Sequence, residues 1–327
     1  MKKVRIIGLT ALVAVWAALT LGAWLKPADD ISESETLFAW FGPKQEISEA
    51  ERRPLAQMPE ITGETLLSGK FMSEFEDYSL DQFPLRDTFR QLKALFHYNA
   101  LQQGDNNSIY IADGYAAEME YPLNETSVSN AVNKLNHIYE KYLQNTDSKI
   151  YLSVVPDKGY YLAQANGYPA MDYEKLFSMM QGGTPWAEFV DISGLLTAKD
   201  YYFTDTHWRQ ERISSVAQKL CEAMGAAAFA DSELTPAPVE RPFYGVYYGQ
   251  AALPMEPETM YILESQLLAD CTVYDHETGN HGSVYDLSKL DSRDLYDVYL
   301  SGPQSLLGIE NPNAATDREL ILFRDSF

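Results

Sequence analysis

Asp205 and His207 stand two residues apart in the segment YYFTDTHW, residues 201–208. In an extended backbone, residues two apart project from the same side, so the carboxylate of Asp205 can reach the imidazole of His207. Such a carboxylate holds the imidazole in one tautomer and stabilises the imidazolium that forms when the ring accepts a proton. The pair is therefore a candidate general base. A structural role is the alternative, in which Thr204 and Asp205 cap a helix that begins near Trp208.

A candidate nucleophile follows the last apolar run of the chain. Residues 319–323 (ELILF) predict a buried strand, and Asp325 and Ser326 come directly after it. In open α/β sheets, ligands bind beyond the carboxyl ends of the strands, where a serine on the turn is exposed to substrate. The backbone amide of that serine can also help to form an oxyanion hole. A plain surface turn is the alternative, because Asp and Ser are common turn residues.

Three further residues are candidates for contact with a substrate. Asp157 and Lys158 follow the β-branched run at 150–155, which predicts a central strand, and they are expected to border the cleft unless they form a solvated turn. Gly302 can offer its amide to an oxyanion because glycine lets the backbone approach a ligand closely, and a bare turn is the alternative. The sequence requires no metal ion and no cofactor. The acidic and histidine-containing stretch at 275–281 lacks the spacing of a metal site and predicts a solvated loop.

The elements that must position these residues alternate between helix and strand. Periodic apolar patterns predict helices at residues 70–80, 85–101, 128–142, 173–180 and 209–224. Short runs rich in β-branched or aromatic residues predict strands at 108–111, 150–155, 189–192, 244–248 and 319–323. This alternation predicts an α/β domain with helices packed on the faces of a sheet.

The N-terminus carries a candidate membrane segment. Basic residues at 2–5 precede an uncharged stretch at 6–25, whose length at about 1.5 Å per residue matches the hydrocarbon core of a bilayer. The stretch predicts an uncleaved anchor. A cleaved signal peptide is the alternative, although residues 21–23 (LGA) fit only half of the small-x-small rule for cleavage. In both cases the basic end stays in the cytoplasm and everything after Lys26 is exported, so the protein is expected at the extracytoplasmic face of the membrane.

Composition divides the chain into three parts. Residues 1–25 form the anchor, residues 26–104 a loop-like acidic tether followed by a helical segment, and residues 105–327 the α/β domain. An apolar strand with no helix after it is an unusual end for such a domain. The sequence therefore predicts that the domain is incomplete at its C-terminus.

Charge and cysteine content exclude some classes of function. The 327 residues are 46% hydrophobic, which suits a globular core, and carry a formal net charge of −22. A surface of this charge repels nucleic acid. The two cysteines, Cys221 and Cys271, are too few for a disulfide framework and lack the close spacing of a zinc or redox pair. They are either free thiols or one bridge.

Four sequence blocks resemble one known family. Residues 202–208 (YFTDTHW) are similar to the signature of the alginate O-acetyltransferase AlgJ/AlgX group and the related DHHW proteins, and residues 322–327 (LFRDSF) are similar to their nucleophile block. Two more blocks agree, residues 51–59 (ERRPLAQMP) and 78–87 (YSLDQFPLRD). Two positions depart from the pattern. Arg324 stands where simple SGNH blocks have Gly, and Thr206 stands where DHHW proteins often carry a second His.

The resemblance implies an SGNH-hydrolase-like α/β fold in permuted order, with Asp and His before Ser. Carried over residue by residue, Asp205 orients the imidazole, His207 is the general base and Ser326 is the acyl-accepting nucleophile. Members of the family continue beyond this serine into a helix and further sheet. The resemblance therefore implies that the chain as it stands is inactive.

The resemblance also implies acetyl transfer to hydroxyl groups of an exported or cell-surface polysaccharide. An exported enzyme lacks cytosolic acetyl-coenzyme A, so the expected acetyl donor is a membrane-bound O-acyltransferase partner. Two alternatives remain. An esterase or deacetylase would use the same triad, and a non-catalytic polysaccharide-binding scaffold would use some of the 22 tyrosines as a sugar-stacking surface.

Overall fold

The computed structural model describes residues 2–26, 44–48, 50–226, 233–314 and 316–326. The chain divides into two compact units. The first comprises Met1–Gln103 with Ala252–Pro254, and the second comprises Gly104–Ala251 with Met255–Phe327. Most of the predicted tether, residues 27–43, lies outside the described residues.

The first unit begins with helix α1 (Lys2–Leu25). Its apolar part, Ile6–Leu25, is the one helix among the described residues that is long and apolar enough to cross a membrane. The same properties suit a membrane anchor and a signal sequence.

Three helices and a short β-ribbon complete the first unit. They are β1 (Ile47–Ser48), β2 (Arg53–Pro54), α2 (Gly63–Leu67), α3 (Lys70–Asp81) and α4 (Arg86–Leu95), which a π turn extends to Ala100. The helices predicted at 70–80 and 85–101 are thus confirmed. Their apolar residues recur at helical spacing, and Pro84 separates them because proline cannot continue a helix.

The two N-terminal sequence blocks meet in a network of ion pairs. Arg53 donates two parallel hydrogen bonds to Asp81, at 2.8 and 2.6 Å. Glu51 faces Arg86 at 2.5 Å and Arg90 at 3.2 Å. Paired guanidinium and carboxylate groups of this geometry fix both position and orientation. The blocks therefore tie the segment after β1 to helices α3 and α4.

The second unit contains four of the five small sheets in the described residues. Its strands are β3 (Ile109–Ala112), β4 (Tyr115–Glu118), β5 (Tyr151–Leu152), β6 (Glu188–Phe189), β7 (Thr235–Phe243), β8 (Glu258–Glu264), β9 (Thr272–Asp275), β10 (His281–Gly282) and β11 (Leu307–Glu310). Strands β3–β4 and β7–β8 form antiparallel pairs, β5 and β6 are parallel, and β9 lies between β10 and β11. The fold is a mixture of helices and small sheets.

Six helices complete the second unit. They are α5 (Glu125–Ile138), α6 (Gly159–Leu162), α7 (Tyr173–Gly183), α8 (Ser214–Met224), α9 (Val246–Ala251) and α10 (Gln266–Ala269). Side chains of Asn124 and Asp172 accept the N-terminal amides of α5 and α7, as N-cap residues do. A Cβ atom at Gly183 would lie 2.5 Å from Val132, so α5 and α7 approach closely there. The helices predicted at 128–142 and 173–180 are confirmed.

Two apolar clusters flank the segment that carries Asp205 and His207. The first consists of Val190, Ile192, Leu196, Tyr201 and Val216. The second consists of Tyr202, Val239, Phe243, Met260 and Val298. Adjacent tyrosines at 201 and 202 thus anchor the start of the segment in two different clusters.

Four predicted strands differ in the structure. Residues 319–323 form no strand, and the apolar side chains at 320–323 are 64–77% exposed. The run at 244–248 enters helix α9. The run at 150–155 forms a strand only at Tyr151–Leu152, and the run at 189–192 only at Phe189. A short apolar run favours a strand only where a neighbouring strand pairs with it, and the sequence pattern does not contain that partner. Within the described residues, the strands do not join into the single sheet that the alternation predicts.

Candidate catalytic site

The 202–207 loop carries Asp205 and His207. The residues that flank it, Tyr201 and Trp208, pair as an isolated antiparallel bridge. Inside that bridge, the amide of residue 202 donates to the carbonyl of residue 207 at 3.1 Å. The loop is therefore a closed turn whose two ends are fixed by backbone hydrogen bonds.

Asp205 and His207 are in direct contact, as their spacing predicts. Oδ1 of Asp205 lies 2.5 Å from Nδ1 of His207 and also accepts the backbone amide of His207 at 3.1 Å. Oδ2 accepts the amide of Val246 at 2.8 Å. Asp205 is 1% exposed. Both carboxylate oxygens are thus engaged, and the carboxyl group has one fixed orientation.

The charge on Asp205 sets the tautomer of His207. Burial alone raises the pKa of the Asp205 carboxyl, but the hydrogen bonds from His207 and Val246 outweigh it and lower the pKa to about 2. Asp205 is therefore ionised at neutral pH and holds a proton on Nδ1 of His207. The Nε2 atom, on the far side of the ring, is then the nitrogen that can accept a proton from a nucleophile.

Tyr296 supports the imidazole from one face. The rings of His207 and Tyr296 stack with centroids 4.0 Å apart and planes inclined by 15°. Burial raises the pKa of the Tyr296 phenol, and the positive charge of Arg324 acts in the opposite direction. The charge of Arg324, two residues before Ser326, thus acts on the phenol of Tyr296.

Glu258, at the start of β8, holds the first half of the loop. Its carboxylate accepts the amides of Phe203 and Thr204 at 2.8 and 2.9 Å, and the hydroxyl of Thr204 at 2.9 Å. The same hydroxyl accepts the amide of Gly245 at 2.7 Å. Glu258 and Thr204 are both buried. A buried carboxylate with three donors fixes the backbone that leads into Asp205.

Lys158 holds the same loop from the other side. Its ammonium donates to the carbonyl of Tyr202 at 2.8 Å and lies 5.1 Å from the ring centroid of Tyr247. Lys158 is only 2% exposed. Burial lowers the pKa of its amine to about 7, against the opposing pull of the Asp205 and Glu258 carboxylates. The structure therefore directs the Lys158 ammonium at the backbone of the loop and away from solvent.

The lowered pKa of Lys158 predicts a pH-dependent stability. Between about pH 7 and 10.5 the unfolded chain keeps a proton that the folded protein has released, so stability rises with pH by up to about 1.4 kcal/mol per pH unit. In Lys158→Met this contribution is absent, and the melting temperature should rise less between pH 7 and 9.5. The measurement is thermal unfolding in detergent, with the exposed Lys199→Met as control. An equal pH slope in wild type and Lys158→Met would contradict the prediction.

Asp157 and Gly302 each lie in a turn outside the 202–207 loop. Asp157 accepts the amide of Gly159 at 2.5 Å and the hydroxyl of Tyr173 at 2.7 Å, and burial raises the pKa of its carboxyl despite these bonds. The amide of Gly302 donates to the carbonyl of Tyr299 at 3.1 Å within a turn. Both groups are thus engaged with neighbouring protein atoms.

Ser326 lies at the exposed end of the last described segment. Among the described residues, no hydrogen bond links Ser326 to Asp205 or His207. The structure thus brings two members of the predicted triad together and leaves the serine on the surface.

Thr204, Gly245, Glu258 and Tyr296 make contacts at the site that the sequence did not predict. Only Glu258 leaves a recognisable signal, because it is the one acidic residue at the start of an otherwise apolar run, ETMYIL. Burial of a carboxylate in a strand is costly unless hydrogen-bond donors surround it.

The described residues contain no group of three or more His, Cys, Asp or Glu side chains placed to hold a metal ion. Cys221 and Cys271 are free thiols, both partly buried.

Comparison with solved structures shows that the fold of this chain is similar to known folds. No protein-family model and no curated protein matches the chain. The crystal structure of a DHHW family protein from Eubacterium siraeum aligns over 64% of this chain and 73% of its own, with a TM-score of 0.51 and 21% identity. Two structures of Bacillus cereus PatB1, one with a sulfonyl adduct, align over 63% of this chain with a TM-score of 0.48 and 14% identity, covering 74% and 76% of their own chains. The mixed helix and small-sheet fold of this chain is thus similar to that of a DHHW family protein.

Proposed function

We propose that the chain is an SGNH-type serine acyltransferase at the extracytoplasmic face of the membrane, which transfers acetyl groups to hydroxyls of an exported or cell-surface polysaccharide. The observation that carries the proposal is the 2.5 Å contact between the buried, ionised Asp205 and Nδ1 of His207. This arrangement makes an imidazole a general base for a hydroxyl nucleophile. The fold similarity to a DHHW family protein agrees with it.

The reaction proceeds in two balanced steps. Nε2 of His207 takes the proton of the Ser326 hydroxyl while Oγ forms a bond to the acyl carbonyl carbon of the donor. The bond from that carbon to the donor oxygen breaks, and His207 returns the proton to the leaving group. A sugar hydroxyl then gives its proton to His207 and attacks the acyl-serine, and Ser326 regains a proton as the acetylated sugar leaves. Asp205 stabilises the imidazolium in both steps.

Two observations on the segment before Ser326 support its assignment as the nucleophile. Arg318 donates to the carbonyl of Gly225 at 2.7 Å, which ties the segment before Ser326 to the end of helix α8. The positive charge of Arg324 opposes the rise in the pKa of Tyr296, the residue whose ring stacks on His207. The serine is exposed, as a residue that meets an external acyl donor must be.

The proposal includes a partner. A protein exported behind α1 has no access to cytosolic acetyl-coenzyme A, so the acetyl group would come from a membrane-bound O-acyltransferase. With water in place of the sugar hydroxyl, the same residues would act as an esterase.

The test is acyl-enzyme trapping on the full-length protein. Incubation with p-nitrophenyl acetate followed by peptide mass spectrometry should show an acetyl group on Ser326, and Ser326→Ala should abolish it. The matched control is the exposed Ser305→Ala, which should label like wild type. Addition of an oligosaccharide should move the label to the sugar in a transferase, whereas an esterase would only release acetate. Unchanged labelling in Ser326→Ala would remove the nucleophile assignment.

A further inference from the structure

A cleft of about 450 Å³ lies in the second unit, and none of the residues that line it belongs to the 202–207 loop. Ligand pockets in proteins have volumes of roughly 300–1,000 Å³, so the cleft can hold a small ligand or a short stretch of a polymer. Helix α7 forms one wall, the segment from β6 to Ser193 forms the other, and Tyr160 of α6 contributes a ring. We refer to this space as the α7 cleft.

The two walls of the α7 cleft present regular faces. The lining residues of α7 follow one another at spacings of three, one and three, which places them on one side of the helix: Glu174, Phe177, Ser178 and Gln181. On the other wall, Phe189, Asp191 and Ser193 face the cleft. The residues between them, Val190 and Ile192, are buried in the first apolar cluster, as alternation along an extended segment requires.

Three aromatic rings line the α7 cleft, and each is only partly exposed: Tyr160, Phe177 and Phe189. The ring of Tyr160 meets that of Phe177 at a centroid distance of 6.0 Å and an angle of 62°. It also meets the ring of Tyr173 at 4.9 Å and 77°. Edge-to-face contacts of this kind are favourable and hold the rings in one orientation. The cleft thus offers fixed apolar surfaces on which a ligand can pack.

Polar side chains surround these rings. Glu174, Ser178, Gln181 and Asp191 line the cleft and are exposed. Oδ1 of Asp191 accepts the amide and the hydroxyl of Ser193 at 2.9 and 2.7 Å, which fixes the position of the carboxylate. A pocket for an acyl chain is lined mostly by apolar side chains. Rings mixed with hydroxyl, amide and carboxylate groups instead suit a ligand that has apolar C–H faces and many hydroxyls, which is the chemistry of a sugar.

The charge of the α7 cleft narrows the class of sugar. Among the eight described residues that line it, the charged ones are Glu174 and Asp191, and both are acidic. The whole chain carries a formal net charge of −22. A uronate or a phosphorylated sugar would therefore be repelled. A sugar without negative charge can donate its hydroxyl hydrogens to the two carboxylates, which only accept.

Two contacts join the α7 cleft to the 202–207 loop. The hydroxyl of Tyr161 donates to the carbonyl of Ser193, on the wall of the cleft, at 2.9 Å. The ring of Tyr161 lies 6.0 Å from that of Tyr201, the residue that precedes the loop. The cleft is thus two side-chain contacts away from the loop that carries His207, a separation that a polymer of several sugars can span.

We propose that the α7 cleft binds a stretch of polysaccharide whose sugar units carry no negative charge. The rings pack on the faces of the sugars, and the carboxylates accept hydrogen bonds from their hydroxyls. This binding uses no residue of the proposed triad and does not depend on catalysis. That the bound polymer is the acceptor of the acetyl group rests on the proposed function. Under that function the acceptor is a neutral or N-acetylated polysaccharide and not a polyuronate.

The test is the binding of the full-length protein, in a detergent without a sugar headgroup, to an array of neutral, N-acetylated and uronate oligosaccharides. The wild type should bind at least one oligosaccharide without negative charge more tightly than any uronate. Ser178→Trp places a bulky ring in the cleft and should weaken that binding by about tenfold or more. The matched control is Ser129→Trp, which changes an exposed serine on helix α5 and should bind like the wild type.

Charge reversal at Glu174 is the second variant. In Glu174→Lys an anionic sugar meets attraction in place of repulsion, so the preference for neutral over uronate oligosaccharides should fall by about fivefold. Three results would overturn the proposal: binding to uronates alone or to no member of the array, wild-type binding in Ser178→Trp, or an unchanged preference in Glu174→Lys. No acyl donor is present, so the outcome is separate from the labelling of Ser326 that tests the proposed function.

Discussion

Replacing His207 with Ala is expected to lower the rate of acyl transfer by about 10⁴- to 10⁶-fold. Without the imidazole, no group hydrogen-bonded to Asp205 can take the proton of a serine hydroxyl. Asp205→Asn is expected to lower the rate by about 10⁴-fold, because an amide in place of the carboxylate favours the wrong tautomer of His207. The measurement is the turnover of an acetyl ester and the transfer to an oligosaccharide by the full-length protein.

The activity of the double variant His207→Ala, Ser326→Ala shows whether the two residues act together in one reaction step or contribute independently. Residues that act together give a double variant little worse than the worse single variant. His137→Ala, an exposed histidine on α5, is the control and should retain wild-type activity. Activity within tenfold of wild type in His207→Ala would exclude the pair as the general base.

Replacing Gly245 with Ala is expected to displace the 202–207 loop. An added Cβ atom would lie 2.3 Å from the Cα, Cβ and amide nitrogen of Asp205, far inside any real contact distance. Because two of these atoms belong to the backbone, no change of rotamer relieves the overlap. We expect a loss of stability of about 3 kcal/mol or more, together with the loss of acyl transfer.

Thermal unfolding and amide hydrogen exchange at residues 202–207 measure this effect separately from activity. Faster exchange in the loop at a temperature where the rest of the unit is protected would locate the damage. Gly194→Ala is the matched control, since a Cβ atom there meets nothing within 4 Å. A Gly245→Ala protein with wild-type melting and wild-type exchange would contradict the close approach.

Local patterns predicted the parts of the molecule that depend on neighbours in sequence. Helices α3, α5 and α7 follow from apolar residues at helical spacing. Asp205 and His207 are in contact as their spacing of two predicted, although residues 202–207 form a turn and not the extended segment that the prediction assumed. Each of these features needs only residues within one or two turns of chain.

Local sequence patterns did not predict the features that depend on contacts between residues far apart in the sequence. Residues 319–323 have the composition of a strand, yet pairing decides whether a strand forms. Glu258 reaches Thr204 across 54 positions, and nothing in the local sequence specifies that meeting. Lys158 was predicted at the border of a cleft, and its long side chain instead runs inward to a backbone carbonyl. The DHHW-like motif therefore indicates the pair and not its supports.

The supports of the 202–207 loop come from both sides of it in the chain. Lys158 precedes the loop, whereas Gly245 and Glu258 follow it. Because a ribosome makes the chain from its N-terminus, Asp205 and His207 are synthesised before the strand pair β7–β8. The base therefore acquires its fixed geometry only after Glu258 has been added, so the nascent chain carries the pair before it carries the residues that hold it.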